Sequence, residues 1–174
     1  MGPMDDLEWH VEREVPHLRR FAYALTSRRD EADDLVQDAL ERAWRKRHLR
    51  RGGALRPWLF KILYRVFLNG IRKKKMPVVE WQEGEMGTAH EAVPPAQDMR
   101  LSMDDMSRAL EALPEEQRAA VVLVALEGVS YDQAAEMLGI PVNTLRSRLF
   151  RGREKLRELM DGTEEMKPRL RRVK

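Results

Sequence analysis

Two sets of side chains in this sequence are arranged for chemistry, and in both the chemistry is recognition of negative charge. The first is a block from residue 42 to residue 75 that holds 13 lysines and arginines and no aspartate or glutamate. An unbroken cationic block repels itself unless something anionic receives it. Nucleic acid is the first candidate; a membrane surface or an acidic protein is the second. The other set lies between residues 141 and 157, where six basic residues stand against one acid, Glu154. At helical spacing Val142, Leu145, Leu149, Leu156 and Leu159 share an inward side, and Asn143, Arg146, Ser147, Phe150 and Arg151 share the outward one. An arginine fork matches guanine O6 and N7, and asparagine can pair with adenine. Phe150 on that polar side either meets thymine methyls or the sugar-phosphate backbone, or packs on a neighbouring helix; the sequence leaves both open.

Catalysis has little to stand on. Asp30, Glu31, Asp33, Asp34 and Asp38 form an acidic cluster, but His10, His17, His48 and His90 show no metal-ligand spacing. There is no glycine-rich phosphate loop and no nucleophile elbow. No enzyme activity, metal or cofactor is expected. Cysteine is absent, which excludes disulfides and thiolate metal sites and fits a reducing compartment. No apolar run approaches the ~20 residues that span a bilayer, so no direct membrane insertion is expected. Met1-Gly2-Pro3-Met4 carries no signal-peptide core, and Gly2-Pro3 ahead of a second methionine places the expected native start at Met4.

The elements that must position these side chains read as helices throughout. Leu7, Val11, Val15, Leu18, Ala22 and Leu25 recur at helical spacing. A break at Thr26-Ser27 follows, with Ser27 or Asp30 as the cap of a second helix from Asp30 to Arg47. Its apolar stripe is Ala32, Val36, Ala39, Leu40 and Ala43. Gly52-Gly53 marks a loop, and Pro57 suits the first turn of a third helix with a wide apolar face from Trp58 to Ile71. Residues 76–103 lose all periodicity and read as an acidic, flexible linker. Beyond it, Met106 to Leu113 form a short helix, Pro114 opens the next, Ser130 caps a third, and a fourth runs from Pro141 to about Met160. Gly139-Ile140-Pro141 makes the third and fourth a helix-turn-helix pair, with small Ala135 for close packing and Leu145 pointing into the core. The predicted fold is all-α: two small helical bundles joined by the linker, the C-terminal one a helix-turn-helix domain. The expected boundaries are 1–75, 76–103 and 104–160, with a frayed basic tail over 161–174. Charge alternates along the chain, net −6 over 1–41, +13 over 42–75, −8 over 76–116 and +4 over 117–174.

Two stretches also resemble a known family. Asp33-Asp34-Leu35-Val36-Gln37-Asp38 through Arg42-Ala43-Trp44, followed by Leu55-Arg56-Pro57-Trp58-Leu59-Phe60-Lys61-Ile62, is similar to the second conserved region of extracytoplasmic-function (ECF) sigma factors of bacterial RNA polymerase. Leu113-Pro114-Glu115-Glu116-Gln117-Arg118, then Gly128-Val129-Ser130-Tyr131, then Pro141 through Arg153, resembles their fourth region. The resemblance covers about 130 of 174 residues, in the family's order and separation.

It implies an alternative sigma factor, cytoplasmic or held at the membrane through an anti-sigma partner, that directs promoter-specific initiation in a stress response. Its partners would be core RNA polymerase, through the β′ coiled coil and the β flap, promoter DNA, and an anti-sigma factor. Asn143, Thr144, Arg146, Ser147, Phe150 and Arg151 would then read the minus-thirty-five element. Arg50, Arg51, Arg56, Lys61, Arg65 and Asn69 would serve the minus-ten element, with Trp58, Tyr64 and Phe67 interleaved. Most of Trp58, Phe60 and Phe67 is expected in the core rather than under bases. Asp34, Gln37, Asp38 and Glu41 would meet the polymerase. The loop from His48 to Leu55 resembles the one that captures a flipped base, but it is short and its pocket residues stay unnamed. Val124-Ala125-Leu126 departs from members that carry a basic residue there, so a phosphate clamp is not expected.

A linker of residues 76–103 reaches at most ~90 Å and relaxes to ~30 Å, whereas elements two helical turns apart lie ~70 Å apart. It would therefore be stretched on the promoter, and in the free chain it would let the two basic halves fold together and hide their DNA faces. Two rivals stand beside this reading. A conventional helix-turn-helix regulator explains residues 104–160 but not the first half. A sigma-like mimic that sequesters an anti-sigma factor has no need of Arg146, Arg151 or the basic block.

Overall fold

The computed structural model describes residues 3–50, 52–75 and 105–165, with side chains from residue 10 to residue 160 apart from 51, 75 and the 76–104 segment. Among the described residues every regular element is helical. Helix α1 spans Pro3–Thr26, α2 Arg29–Lys46 and α3 Leu55–Lys75, with a 3-10 turn at Arg47–Leu49 between the last two. Helix α4 covers 105–111. Helices α5 (Glu115–Ala125), α6 (Tyr131–Leu138) and α7 (Val142–Glu165) follow. Helix α7 thus continues past Met160 into the segment expected to fray. Arg51, the 76–103 segment and the tail beyond Glu165 lie outside the described residues.

The breaks between helices have local causes. Ser27 takes the left-handed conformation at φ 60°, and its N–H closes on Tyr23 O at 2.7 Å. Neither Ser27 nor Asp30 caps α2. Arg28 holds the N-cap position in extended conformation without a side-chain cap bond, and Asp30 in the first turn accepts from its guanidinium at 2.7 Å. Ser130 does cap α6. Its hydroxyl accepts from Gln133 N, and the Gln133 side chain accepts from Ser130 N, a complete capping box.

Helices α1, α2 and α3 bury Leu18, Phe21, Leu35, Val36, Leu59, Phe60 and Leu63 against one another, with the Phe21 and Phe60 rings 5.3 Å apart. Helices α5, α6 and α7 bury Ala119, Val122, Leu123, Ala135, Met137, Leu145 and Leu149. The two groups are not separate. Their buried side chains form one continuous cluster, with α3 lying against α6 and α1 against α5. The reason is the breadth of α3. Leu59, Phe60, Leu63, Tyr64, Val66 and Phe67 are all buried, more apolar circumference than two neighbouring helices cover. The second half covers the remainder.

Candidate nucleic-acid and partner surfaces

Helix α7 is locked on one side and open on the other. Gly139, at φ 67°, ends α6 in the left-handed region, and the N–H groups of Gly139 and Ile140 return to Glu136 O and Ala135 O. This turn aims the start of α7 outward, while Leu145 and Leu149 are fully buried beneath it. Gly152 lets α7 press against α5, since a Cβ there would stand 2.8 Å from Val121 Cγ2. The opposite side therefore faces solvent. Asn143, Arg146, Ser147 and Arg151 are exposed, Thr144 is half-buried, and Phe150 is 66 % exposed. Phe150 packs in no core, which removes the bland alternative for it. Arg148, on the same helix, is turned away and pairs with Glu116 at 2.8 Å. Tyr64 beneath this pair has a buried hydroxyl without a protein partner; burial pushes it up to about 12.

The basic block divides. Arg65 and Asn69 are exposed on α3. Arg50 donates to Gly53 O at 2.6 Å and shapes the loop. Beside that loop Arg47 stacks on Trp44 at 4.8 Å, and Val11, Leu40, Trp44 and Trp58 line an apolar recess of about 440 Å³. Phe60 and Phe67 are core residues and Trp58 is half-buried. Arg56 and Lys61, by contrast, face the second half. Lys61 Cε lies 3.5 Å from the position a Cβ on Gly139 would take. Arg56 belongs to the ion cluster described below. On α2, Asp34, Gln37, Asp38 and Glu41 form one exposed stripe; Asp34 and Asp38 line a groove that runs across to Asn69 and Lys73 of α3.

The sequence reading missed Glu127. It sits between α5 and α6 with its side chain fully buried, and its three charged or ionisable partners all come from the first half. Arg20 Nε donates to Oε1 at 2.6 Å, Arg56 Nη2 to Oε2 at 2.7 Å and His17 Nδ1 to Oε2 at 2.9 Å. Glu14 adds a second carboxylate 3.5 Å from Arg56 Nε. Burial pushes the Glu127 carboxyl up, but the hydrogen bonds from Arg20 and His17 outweigh it and hold it below the usual glutamate range. Arg118 makes a second bridge between the halves, donating to Leu25 O at 2.8 Å and to Leu113 O at 3.1 Å. A signal for Glu127 was present: it is the single acid in the otherwise apolar run from Ala119 to Val129, and a carboxylate buried with such a run needs cations.

A family model described as "Sigma-70, region 4" matches residues 103–156, and one described as "Sigma2 domain of PhyR" matches residues 11–64. The ECF RNA polymerase sigma factor EcfG of Rhodopseudomonas palustris (strain TIE-1) is 38% identical over 167 residues, covering 94% of this chain and 91% of its own. The chain belongs to the ECF RNA polymerase sigma factors. The sigma factor RpoE of Bartonella quintana, solved in complex with the anti-sigma factor NepR, superposes on this ECF sigma factor with a TM-score of 0.72 at 35% identity, over 90% of this chain and 97% of RpoE. The anti-anti-sigma factor PhyR of the same organism, also solved with NepR, shares the fold with a TM-score of 0.58 at 17% identity, over 87% of this chain and 49% of PhyR. No helix among the described residues of the sigma factor is long and apolar enough to cross a membrane.

Proposed function

We propose that this sigma factor brings core RNA polymerase to promoters, reads the minus-thirty-five element with α7 and the minus-ten element with α3 and its preceding loop, and docks through the acidic stripe of α2. The observation that carries the reading is the exposed side of α7. Asn143, Arg146, Ser147, Phe150 and Arg151 stand free in solvent over a fully buried Leu145 and Leu149, the geometry with which a recognition helix enters the major groove. It acts without intrinsic catalysis, in the cytoplasm, as residues 1–75 and 104–160 joined by 76–103. An anti-sigma factor holds it inactive, as the RpoE–NepR complex suggests. Tyr23, Ala24, Met106, Leu110, Leu126 and Leu156 line an apolar groove of about 460 Å³ between α1, α4, α5 and α7. That groove suits an amphipathic partner helix. The exposed Leu126 in it also explains why the Val124-Ala125-Leu126 stretch carries no basic residue.

The likeness to PhyR keeps a second reading in view, a mimic that binds an anti-sigma factor and never touches DNA. Transcription separates the two. Mixed with sigma-free core polymerase, the chain should start transcripts at sites sharing two upstream elements. Arg146→Ala/Arg151→Ala should abolish those starts while leaving polymerase binding intact, and Asp34→Ala/Gln37→Ala/Asp38→Ala should weaken polymerase binding. Polymerase binding without any defined start would leave the mimic standing.

A further inference from the structure

Two arginines and a histidine of the first half converge on one carboxylate of the second. Once the halves separate, Glu127 loses Arg20, Arg56 and His17 together, because its own half supplies none of them. Arg56 would then stand in the first turn of α3 beside Glu14, His17 and the Phe60 ring, within the block from 42 to 75 that contains no acid of its own. A guanidinium fork receives a carboxylate and a phosphate in the same geometry. Closure does not hide the cations of α3 at random. Arg56 is taken by Glu127 and the stem of the half-buried Lys61 lies against the turn at Gly139, about one and a half helical turns further on, while Arg65 and Asn69 remain in solvent. Helix α7 keeps its recognition side open in the same closed form. The closed chain is thus masked on part of the first of these surfaces, at Arg56, and not on the second.

We propose that Glu127 is an intramolecular competitor for Arg56: its carboxylate takes the place of a nucleic-acid phosphate in the closed chain, and Arg20 and His17 hold it there. This rests on the reading of Arg56 as a nucleic-acid contact. Nucleic acid and closure then exclude each other at this site, and by reciprocity phosphate binding weakens closure by the same factor as closure weakens phosphate binding.

The test uses the full chain without polymerase, a short fluorescein-labelled single-stranded DNA and a labelled polyglutamate peptide, both at low salt. Glu127→Gln keeps the size of the side chain and removes the charge. It should bind the DNA about tenfold more tightly than the parent, within the usual range of coupling between sites, and should scatter as a more extended particle. The gain should vanish in Glu127→Gln/Arg56→Ala. If circular dichroism shows that Glu127→Gln does not fold, Arg20→Ala replaces it; it loosens the grip on Glu127 from the solvent side and should raise DNA affinity severalfold. Unchanged DNA affinity in a folded variant, or a gain that survives loss of Arg56, would overturn the proposal. So would a gain confined to polyglutamate, which would make the site a receptor for a protein carboxylate. Promoter-specific starts by the parent chain with polymerase decide the sigma reading independently, so a silent Glu127→Gln beside them sinks only the competitor.

Discussion

At the scale of single residues, Gly152 shows packing overruling propensity. Glycine in a helix interior costs about 1 kcal/mol relative to alanine, and Gly152 lies well inside α7. By propensity alone, Gly152→Ala should stabilise the chain. The added Cβ would instead meet Val121 Cγ2 at 2.8 Å and the backbone Gln117 O at 3.3 Å. A β-branched valine has little freedom to yield, the carbonyl belongs to α5 itself, and overpacking of this kind costs about 1–3 kcal/mol. The second effect wins. Urea unfolding of Gly152→Ala should show a lower midpoint with an unchanged slope; a higher midpoint would mean that α7 can move off α5 freely. Since Leu145 and Leu149 anchor the same face, the variant should also weaken the presentation of Arg146 and Arg151.

At the scale of elements, α6 is the shortest of the helices whose full bounds are defined and depends most on its ends. Eight residues are too few to hold a helix by propensity. The Ser130–Gln133 box fixes the start and left-handed Gly139 the finish. Ser130→Ala should cost about 1 kcal/mol, measured by urea unfolding, and Ser130→Asp should restore most of it. This cap was legible in the sequence because the residue types at both of its positions announce it. The α7 side was legible too, since the periods of Leu145 and Leu149 and of Arg146 and Phe150 are local facts. The start of α2 was not, because Arg28 serves there with backbone conformation alone and no side-chain bond. Nor was the contact between the halves. The width of the apolar face of α3 showed in the sequence, but nothing local says which helix covers it, and the partners of Glu127 lie 71 to 110 residues away. The same distance explains why Arg56 and Lys61 read as free cations in sequence and stand at an interface in the structure.

At the scale of the whole molecule, the halves are joined by apolar contacts and the Arg118 bridge to Leu25 O, and by one carboxylate-centred ion cluster that responds to acid. The groups facing Glu127 are His17, Arg20 and Glu14 from α1 and Arg56 from α3. The Glu127 carboxyl is held below its ordinary value in the closed form. A depressed carboxyl favours the state that depresses it. Its contribution to closure is therefore complete above the free-glutamate value of about 4.3 and disappears as pH falls through the lower value of the closed form. Scattering of the parent chain should be constant from neutral pH down to about 5 and report expansion below the glutamate range. Other carboxylates protonate in the same window, so the comparison that decides is with Glu127→Gln. That variant should already be more extended at neutral pH and should lack most of the acid step, because the group that titrates is gone. Superimposable acid curves for the two chains would mean that the Glu127 charge does not hold the halves together. Raised salt at neutral pH should move the parent toward the variant only modestly, since screening acts weakly on a carboxylate buried between its partners.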